Sequence, residues 1–262
     1  MVIDAHSHIG LNNGKMYSAE DLVASLKAAR IDYSLVITFQ GTKYSQMDSV
    51  IKLSKKFPQF KVIGNVKYEL LNESEVEKIK TCLKEKKIVG VKFYLGYEDY
   101  YAIDKKLHPI YSFCQENNYP VVFHTGVLEK GFKGLLKQSH PLNVDDVSNA
   151  FPALKIVIAH MGNPWLMDCA AVVMKNENVY ADMSGFFGEY KPIAEDEIQL
   201  FLKQMTDLRS FMGNFKKMIF GTDYPLYNQK EYFQAVQRLP LTEEEKDLVF
   251  WANAKNIFNL DI

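Results

Sequence analysis

The feature that most restricts the fold is an eightfold alternation of short apolar runs with longer amphipathic segments. The runs are VIDAHSHI, YSLVITF, KVIGNV, IVGVKFY, YPVVFHTG, KIVIAHMG, VYADMSG and KMIFGTDYP. They are rich in valine, isoleucine and aromatic residues, and four of the eight end at Gly or Pro, as buried strands do. Segments 18–30, 75–86, 107–117, 165–176 and 195–212 read as helices, the first opening on a Ser18 cap followed by Glu20 and Asp21. Strand mid-points lie about thirty residues apart, the length of one βαβ unit. Eight such units predict an α/β chain of the (β/α)8 TIM-barrel class. Segment 242–260 is expected to add a C-terminal helix. A doubly wound dinucleotide-binding sheet would carry a glycine-rich phosphate turn after its first strand. Here that strand ends at His8-Ile9-Gly10 instead. No linker or internal repeat interrupts the pattern, so residues 1–262 are expected to form a single barrel domain.

Composition narrows the partners. The chain has 31 Lys+Arg against 32 Asp+Glu, a net charge of −1, so it lacks the basic excess of a nucleic-acid binder. With 47% hydrophobic and 24% charged residues it is not a disordered chain. Cys82, Cys114 and Cys169 are odd in number and far apart, which argues against a disulfide framework and for a reduced, cytoplasmic setting. The start MVIDAHSHIG has neither the basic nor the long apolar region of a signal peptide. No apolar stretch approaches the roughly eighteen residues of a membrane span. The expected partner is a small-molecule substrate, with no nucleic acid and no membrane; a homo-oligomer is allowed.

The chemistry-bearing residues fall at the carboxyl ends of the predicted strands, where barrel enzymes place their sites. They are His6 and His8 on the first strand, His124 on the fifth, His160 on the sixth and Asp223 on the eighth. Strand side chains alternate faces, so His6 and His8 share one. By the same count Ile156, Ile158 and His160 share a face, as do Ile219, Gly221 and Asp223. A lone histidine at a strand end is more often a hydrogen-bonded structural residue than a ligand. Apolar strands tolerate buried polar groups only when these are paired or bound to metal. One shared metal site accounts for all five residues together.

The ordered set His-Ser-His in VIDAHSHIG, then VVFHTG, IVIAHMG and IFGTDYP, resembles the amidohydrolase superfamily and, more closely, its amidohydrolase 2 family. The tail WANAKNIFNL is similar to that family's closing helix, so the resemblance spans nearly the whole chain. It implies a metal-dependent barrel in which His6, His8, His124 and Asp223 are ligands of a mononuclear site. His160 corresponds to an additional active-site histidine that need not touch the metal. Imidazoles with one carboxylate suit one divalent ion such as zinc, with iron, manganese or nickel as substitutes. The expected activity is hydrolysis of a C–N or C–O bond, with Asp223 transferring the proton and His160 stabilising the oxyanion. Two alternatives stay open: a nonoxidative decarboxylase on the same scaffold, and a non-catalytic metal- or ligand-binding barrel.

Lys92 in IVGVKFYLG alternates with Val91 and Phe93, which places it inward on the fourth strand. It is open as a carboxylated bridge between two metals, as a cation that binds substrate, or as half of a structural ion pair. Tyr94 and Trp165 follow strand ends and are candidate substrate contacts; Tyr97, Phe186, Phe187 and Tyr224 also follow strand ends, where they are open as pocket walls or as plain packing. Asp4 shares parity with His6 and His8 and is open either as a support for them from below or as an ordinary buried, hydrogen-bonded acid; Asp182, at the end of the seventh strand, is open to the same two readings. Segment 126–141, with Gly131 and Gly134, reads as a possible lid. His108 and His140 read as structural and surface residues, and Cys114 and Cys169 as packing residues. Arg209 falls within a helix.

Overall fold

The eight apolar runs become eight strands: β1 (Ile3–Ser7), β2 (Tyr33–Ile37), β3 (Phe60–Asn65), β4 (Gly90–Phe93), β5 (Val121–Phe123), β6 (Ile156–Ile158), β7 (Val179–Asp182) and β8 (Met218–Ile219). They follow one another in a single sheet in chain order. Pairing is parallel at β1–β2, β2–β3, β4–β5, β5–β6 and β6–β7. A helix follows each strand: α1 (Ala19–Ala29), α2 (Met47–Ser54), α3 (Glu73–Lys84), α4 (His108–Glu116), α5 (Leu142–Ala150), α6 (Leu166–Lys175), α7 (Glu195–Met212) and α8 (Gln229–Gln237). This is the (β/α)8 barrel topology that the alternation predicts. The tail adds α9 (Glu243–Asp247), a π turn over Leu248–Ala252 and α10 (Asn253–Ile257). The computed structural model describes residues 1–12, 14–37, 47–130, 132 and 134–262. Thr38 and Phe39 of the run YSLVITF, and Gly131 of the lid segment, lie outside the described residues. Among the described residues no helix is long and apolar enough to cross a membrane.

Local sequence explains the boundaries. Ser18 caps α1: its hydroxyl accepts from Asp21 N at 3.1 Å while the Asp21 carboxylate accepts from Ser18 N at 2.8 Å. Such a reciprocal cap is worth about 1 kcal/mol. The helix buries Leu22, Leu26 and Ala29 at helical spacing. α2, α5 and α8 have short apolar faces, such as Val50 with Ile51 and Val144 with Val147, and periodicity over so few residues does not announce them. A hairpin of Gly10–Asn12 with Lys15–Tyr17 also goes beyond the eightfold pattern.

The strands are shorter than the apolar runs. β6 stops at Ile158 and β8 at Ile219, so His160 and Asp223 lie in turns past the strand ends. The two-residue alternation assigned to them from sequence therefore does not reach them. Both have left-handed backbone, φ 59° at His160 and 62° at Asp223. In β1 the register shifts between Asp4 and Ser7.

The chain forms two compact units, Met1–Ile63 with Met183–Asn256, and Gly64–Asp182 with Ile257–Ile262. In the second unit Phe93 stacks on Phe123 and meets Tyr111 of α4 edge-on, at ring separations of 5.3 and 5.4 Å. Phe93 therefore faces the helix layer, and its neighbour Lys92 takes the opposite face, fully buried. Gly126 has φ 97°, and a Cβ there would stand 2.5 Å from Asn163 O, so the turn after β5 requires glycine.

In the first unit a buried carboxylate ties α7 to α9. Glu245 accepts from Arg209 Nε and Nη2 at 3.1 and 2.9 Å, from Phe215 N at 2.8 Å and from Thr242 N at 2.9 Å. Burial alone raises the pKa of this carboxyl; the bonds from Arg209, Thr242 and Phe215 outweigh it and bring the value from 4.5 down to about 2. A lowered folded-state pKa gives stability that is complete above pH 4.5 and lost as pH falls toward 2. Glu245→Gln should cost about 2 kcal/mol at pH 7 in urea unfolding. The gap between wild type and variant should narrow at pH 3; an equal gap at both pH values would show that the ionised carboxylate is not the source.

Candidate metal centre

The end of β1 is held against the residues that follow β8 by three backbone bonds. Ala5 N donates to Phe220 O at 3.0 Å, Asp223 N to His6 O at 2.7 Å and His8 N to Tyr224 O at 2.6 Å. They bring His6, His8 and Asp223 together, all buried. Asp223 Oδ1 lies 3.1 Å from His8 Nε2 and 3.6 Å from His6 Nε2. One ligand atom from each residue lies within 4.8 Å of the other two.

His8 Nδ1 lies 3.0 Å from Ile37 O. A carbonyl oxygen only accepts, so Nδ1 carries the proton and donates. In neutral imidazole Nε2 is then a lone pair, and it points at a carboxylate oxygen. Two facing lone pairs repel unless a proton or a cation lies between them. A proton serves one imidazole, whereas a cation serves both imidazoles and the carboxylate. Ligands held about 2.0–2.2 Å from a tetrahedral ion stand about 3.3–3.6 Å apart, and the observed contacts of 3.1 and 3.6 Å span that spacing. His6 is oriented from its other nitrogen: Ser184 Oγ sits 3.3 Å from Nδ1. Such outer partners fix ligand rings in metal sites. Gly221 leaves the room this needs, since a Cβ there would stand 3.0 Å from His6 Cβ.

Asp4 does not touch the imidazoles; it holds the backbone that carries them. Its oxygens accept from His6 N at 3.0 Å, Ser7 Oγ at 2.9 Å, Thr222 N at 3.0 Å, Thr222 Oγ1 at 2.5 Å and Gln229 Nε2 at 2.7 Å. Complete burial pushes its pKa above the ordinary range, and the bonds from Thr222, Gln229, His6 and Ser7 work against that rise. Beside the site, burial and the Asp223 carboxylate both push the Tyr227 phenol upward, so this phenol stays protonated. Tyr224 is buried edge-on to Tyr17 with ring centroids 6.0 Å apart.

The second unit holds most of the other predicted residues. His124 is buried, with its ring 5.0 Å from His160 and 4.7 Å from Tyr97. Its Nε2 lies 3.2 Å from Val127 O. His160 is half-buried, and its backbone N donates to the buried Asp182 carboxylate at 3.0 Å. Asp182 thus holds the turn after β6. Lys92 Nζ lies 5.5 Å from the Tyr94 ring centroid, and Tyr94 meets Tyr97 edge-on. Trp165 packs on His140 at 4.6 Å. His108 is anchored to Ile103 O at 3.1 Å, in keeping with a structural role. In the first unit Phe186 and Phe187 both pack on Phe201 of α7. The supports that sequence reasoning did not single out are Ser184, Thr222, Gln229 and the Ile37 carbonyl. Thr222, next to Asp223 in GTDYP, and Ser184, just past β7, stand where strand-end inspection would find them; Gln229 carries no such signal.

The sequence matches the Amidohydro_2 (amidohydrolase) family model over residues 3–260. No curated protein matches it. An amidohydrolase structure from Burkholderia multivorans with bound Zn is 16% identical, covers 99% of each chain and has a TM-score of 0.77. The 2,6-dihydroxybenzoate decarboxylase from Rhizobium is 16% identical, covering 100% of this chain and 98% of its own, with a TM-score of 0.75. A probable 2-pyrone-4,6-dicarboxylic acid hydrolase from Acinetobacter baumannii, with citric acid bound, is 15% identical over 99% of each chain, with a TM-score of 0.71. At such identities these structures share the barrel fold with this chain.

Because Asp4 satisfies five donors from three parts of the chain, Asp4→Ala should cost about 3 kcal/mol in urea unfolding, the penalty of stranding buried donors. A loss below about 1 kcal/mol would mean that those donors find other partners.

Proposed function

The chain belongs to the Amidohydro_2 family of amidohydrolases, and from that premise we propose that it is a metal-dependent hydrolase acting on a C–N or C–O bond of a small molecule. The observation that carries the reading is His8 Nε2 facing the Asp223 carboxylate at 3.1 Å, with His6 beside it. In this reading His6, His8 and Asp223 hold one divalent ion, with His124 as the third imidazole that the motif order supplies. Zinc is the ion favoured by the donor set, and the Zn of the Burkholderia structure supports it.

The ion supplies Lewis acidity, making water more acidic and polarising the group under attack. Asp223 accepts a proton from the attacking water and passes it to the leaving group. His160 donates a hydrogen bond to the oxygen that gains charge. Lys92, Tyr94 and Trp165 bind the substrate, the buried Lys92 ammonium meeting an anionic group. Decarboxylation is the second reading, favoured by that buried cation and by the decarboxylase among the barrels of the same fold. A decarboxylase has to hold a carboxylate, and the guanidinium of Arg209, within α7, is committed to Glu245. Hydrolysis therefore keeps the lead.

Protein purified without added metal should carry about one equivalent of zinc by elemental analysis. His6→Ala, His8→Ala and His124→Ala should each empty most of the site, while His160→Ala should keep its metal. Protein that takes up no metal even on reconstitution would remove the basis of the reading. Once a substrate is found in a screen of amides, lactones and unsaturated carboxylic acids, turnover in oxygen-18 water should label the organic product. Release of carbon dioxide with solvent hydrogen gained at carbon would establish the second reading instead.

A further inference from the structure

Asp223 is held in a left-handed backbone, φ 62°, a conformation that L-residues rarely adopt. The residues on either side show what imposes it. Thr222 Oγ1 donates to Asp4 Oδ2 at 2.5 Å and accepts from Tyr224 N at 3.2 Å. Thr222 N donates to Asp4 Oδ1 at 3.0 Å. Asp223 N is bound to His6 O at 2.7 Å, and Leu226 N closes the turn on Asp223 O at 3.0 Å. Three successive backbone N–H groups, those of Thr222, Asp223 and Tyr224, are therefore committed. One hydroxyl serves both sides of Asp223: it anchors the residue before to a buried carboxylate and captures the amide of the residue after. Only a side chain that donates and accepts at once can do this.

We infer that Thr222 is a positioning residue for the metal centre: its hydroxyl, clamped by Asp4, sets the backbone turn that aims the Asp223 carboxylate at His6 and His8. The inference rests on the metal reading proposed above. Gln229 provides an internal contrast. Its amide donates to the same Asp4 Oδ2 at 2.7 Å and to Ser7 Oγ at 3.4 Å, and neither bond reaches the amides around Asp223. A general loosening of Asp4 follows from losing either residue, whereas misaiming of Asp223 follows only from losing the Thr222 hydroxyl.

The test is zinc affinity of the full-length protein, measured by competition with a chromophoric chelator at a temperature where circular dichroism shows each variant folded, with urea unfolding of the metal-free proteins alongside. Thr222→Val, close in shape but without the hydroxyl, should bind zinc about 10- to 100-fold more weakly. Thr222→Ser should restore affinity close to wild type. Gln229→Met should lose stability and keep wild-type affinity, and this arm decides the question if Thr222→Val does not fold. A purely structural role would move the unfolding curves and leave affinities together. Wild-type affinity in Thr222→Val, or an equal loss in Gln229→Met, would overturn the inference while the metal reading stands. Wild-type protein that takes up no zinc would refute the metal reading itself, and this inference with it.

Discussion

A carboxylate buried without a cation beside it is stable only if hydrogen bonds replace the water it has lost. Asp4 meets that condition with donors drawn from β1, from the turn after β8 and from the first residue of α8. These partners lie up to 225 residues away along the chain. The carboxylate therefore fastens the start of the sequence to its last quarter at one buried point. Removing water from that point is costly, and the cost is offset only when every donor arrives together. The bonds to His6, Ser7 and Thr222 put His6 and Asp223 within reach of each other, because the residues they pin carry or adjoin those two side chains.

The ring of His8 shows how scaffold chemistry becomes site chemistry. A backbone carbonyl at the end of β2 dictates which nitrogen holds the proton, and so which nitrogen can bind an ion. Burial then matters twice. It keeps water from competing for the lone pair, and it strengthens the attraction of the His6, His8 and Asp223 donors for a single cation. A histidine in the same place with a solvated outer nitrogen would exchange tautomers and present its lone pair only part of the time.

The barrel topology was legible because it is carried by local signals, the period of the apolar runs and their Gly and Pro ends. The His-x-His pair and Asp223 were legible for a similar reason: polar side chains at the ends of apolar strands stand out against their neighbours. The partners that orient them were not. Ile37 offers a backbone carbonyl, which has no sequence signature, and it lies 29 residues from His8. Ser184 is 178 residues from His6, and nothing in one segment announces the other. Strand parity also failed at its margin. It presumes regular strand up to the functional residue, and β6 and β8 end before His160 and Asp223. Lys92 sits within β4, and there alternation placed it correctly on the face opposite Phe93.

The two residues to which proton transfer and oxyanion stabilisation are assigned share a construction. Each stands just beyond a short strand, in left-handed backbone. In each case a fully buried aspartate accepts a backbone N–H at the turn: Asp182 from His160 itself, and Asp4 from Thr222, the residue before Asp223. A charge-assisted bond of this kind contributes about 1.5–3 kcal/mol, enough to cover the conformational cost of a left-handed residue. Regular strand would aim these side chains only along the pleat. A turn held by a carboxylate allows another direction and holds it rigidly. Backbone strain stored beside catalytic groups persists only where surrounding bonds over-determine it. The paired aspartates meet that requirement at both turns, which accounts for the burial of two acids that bind neither substrate nor ion in the mechanism proposed.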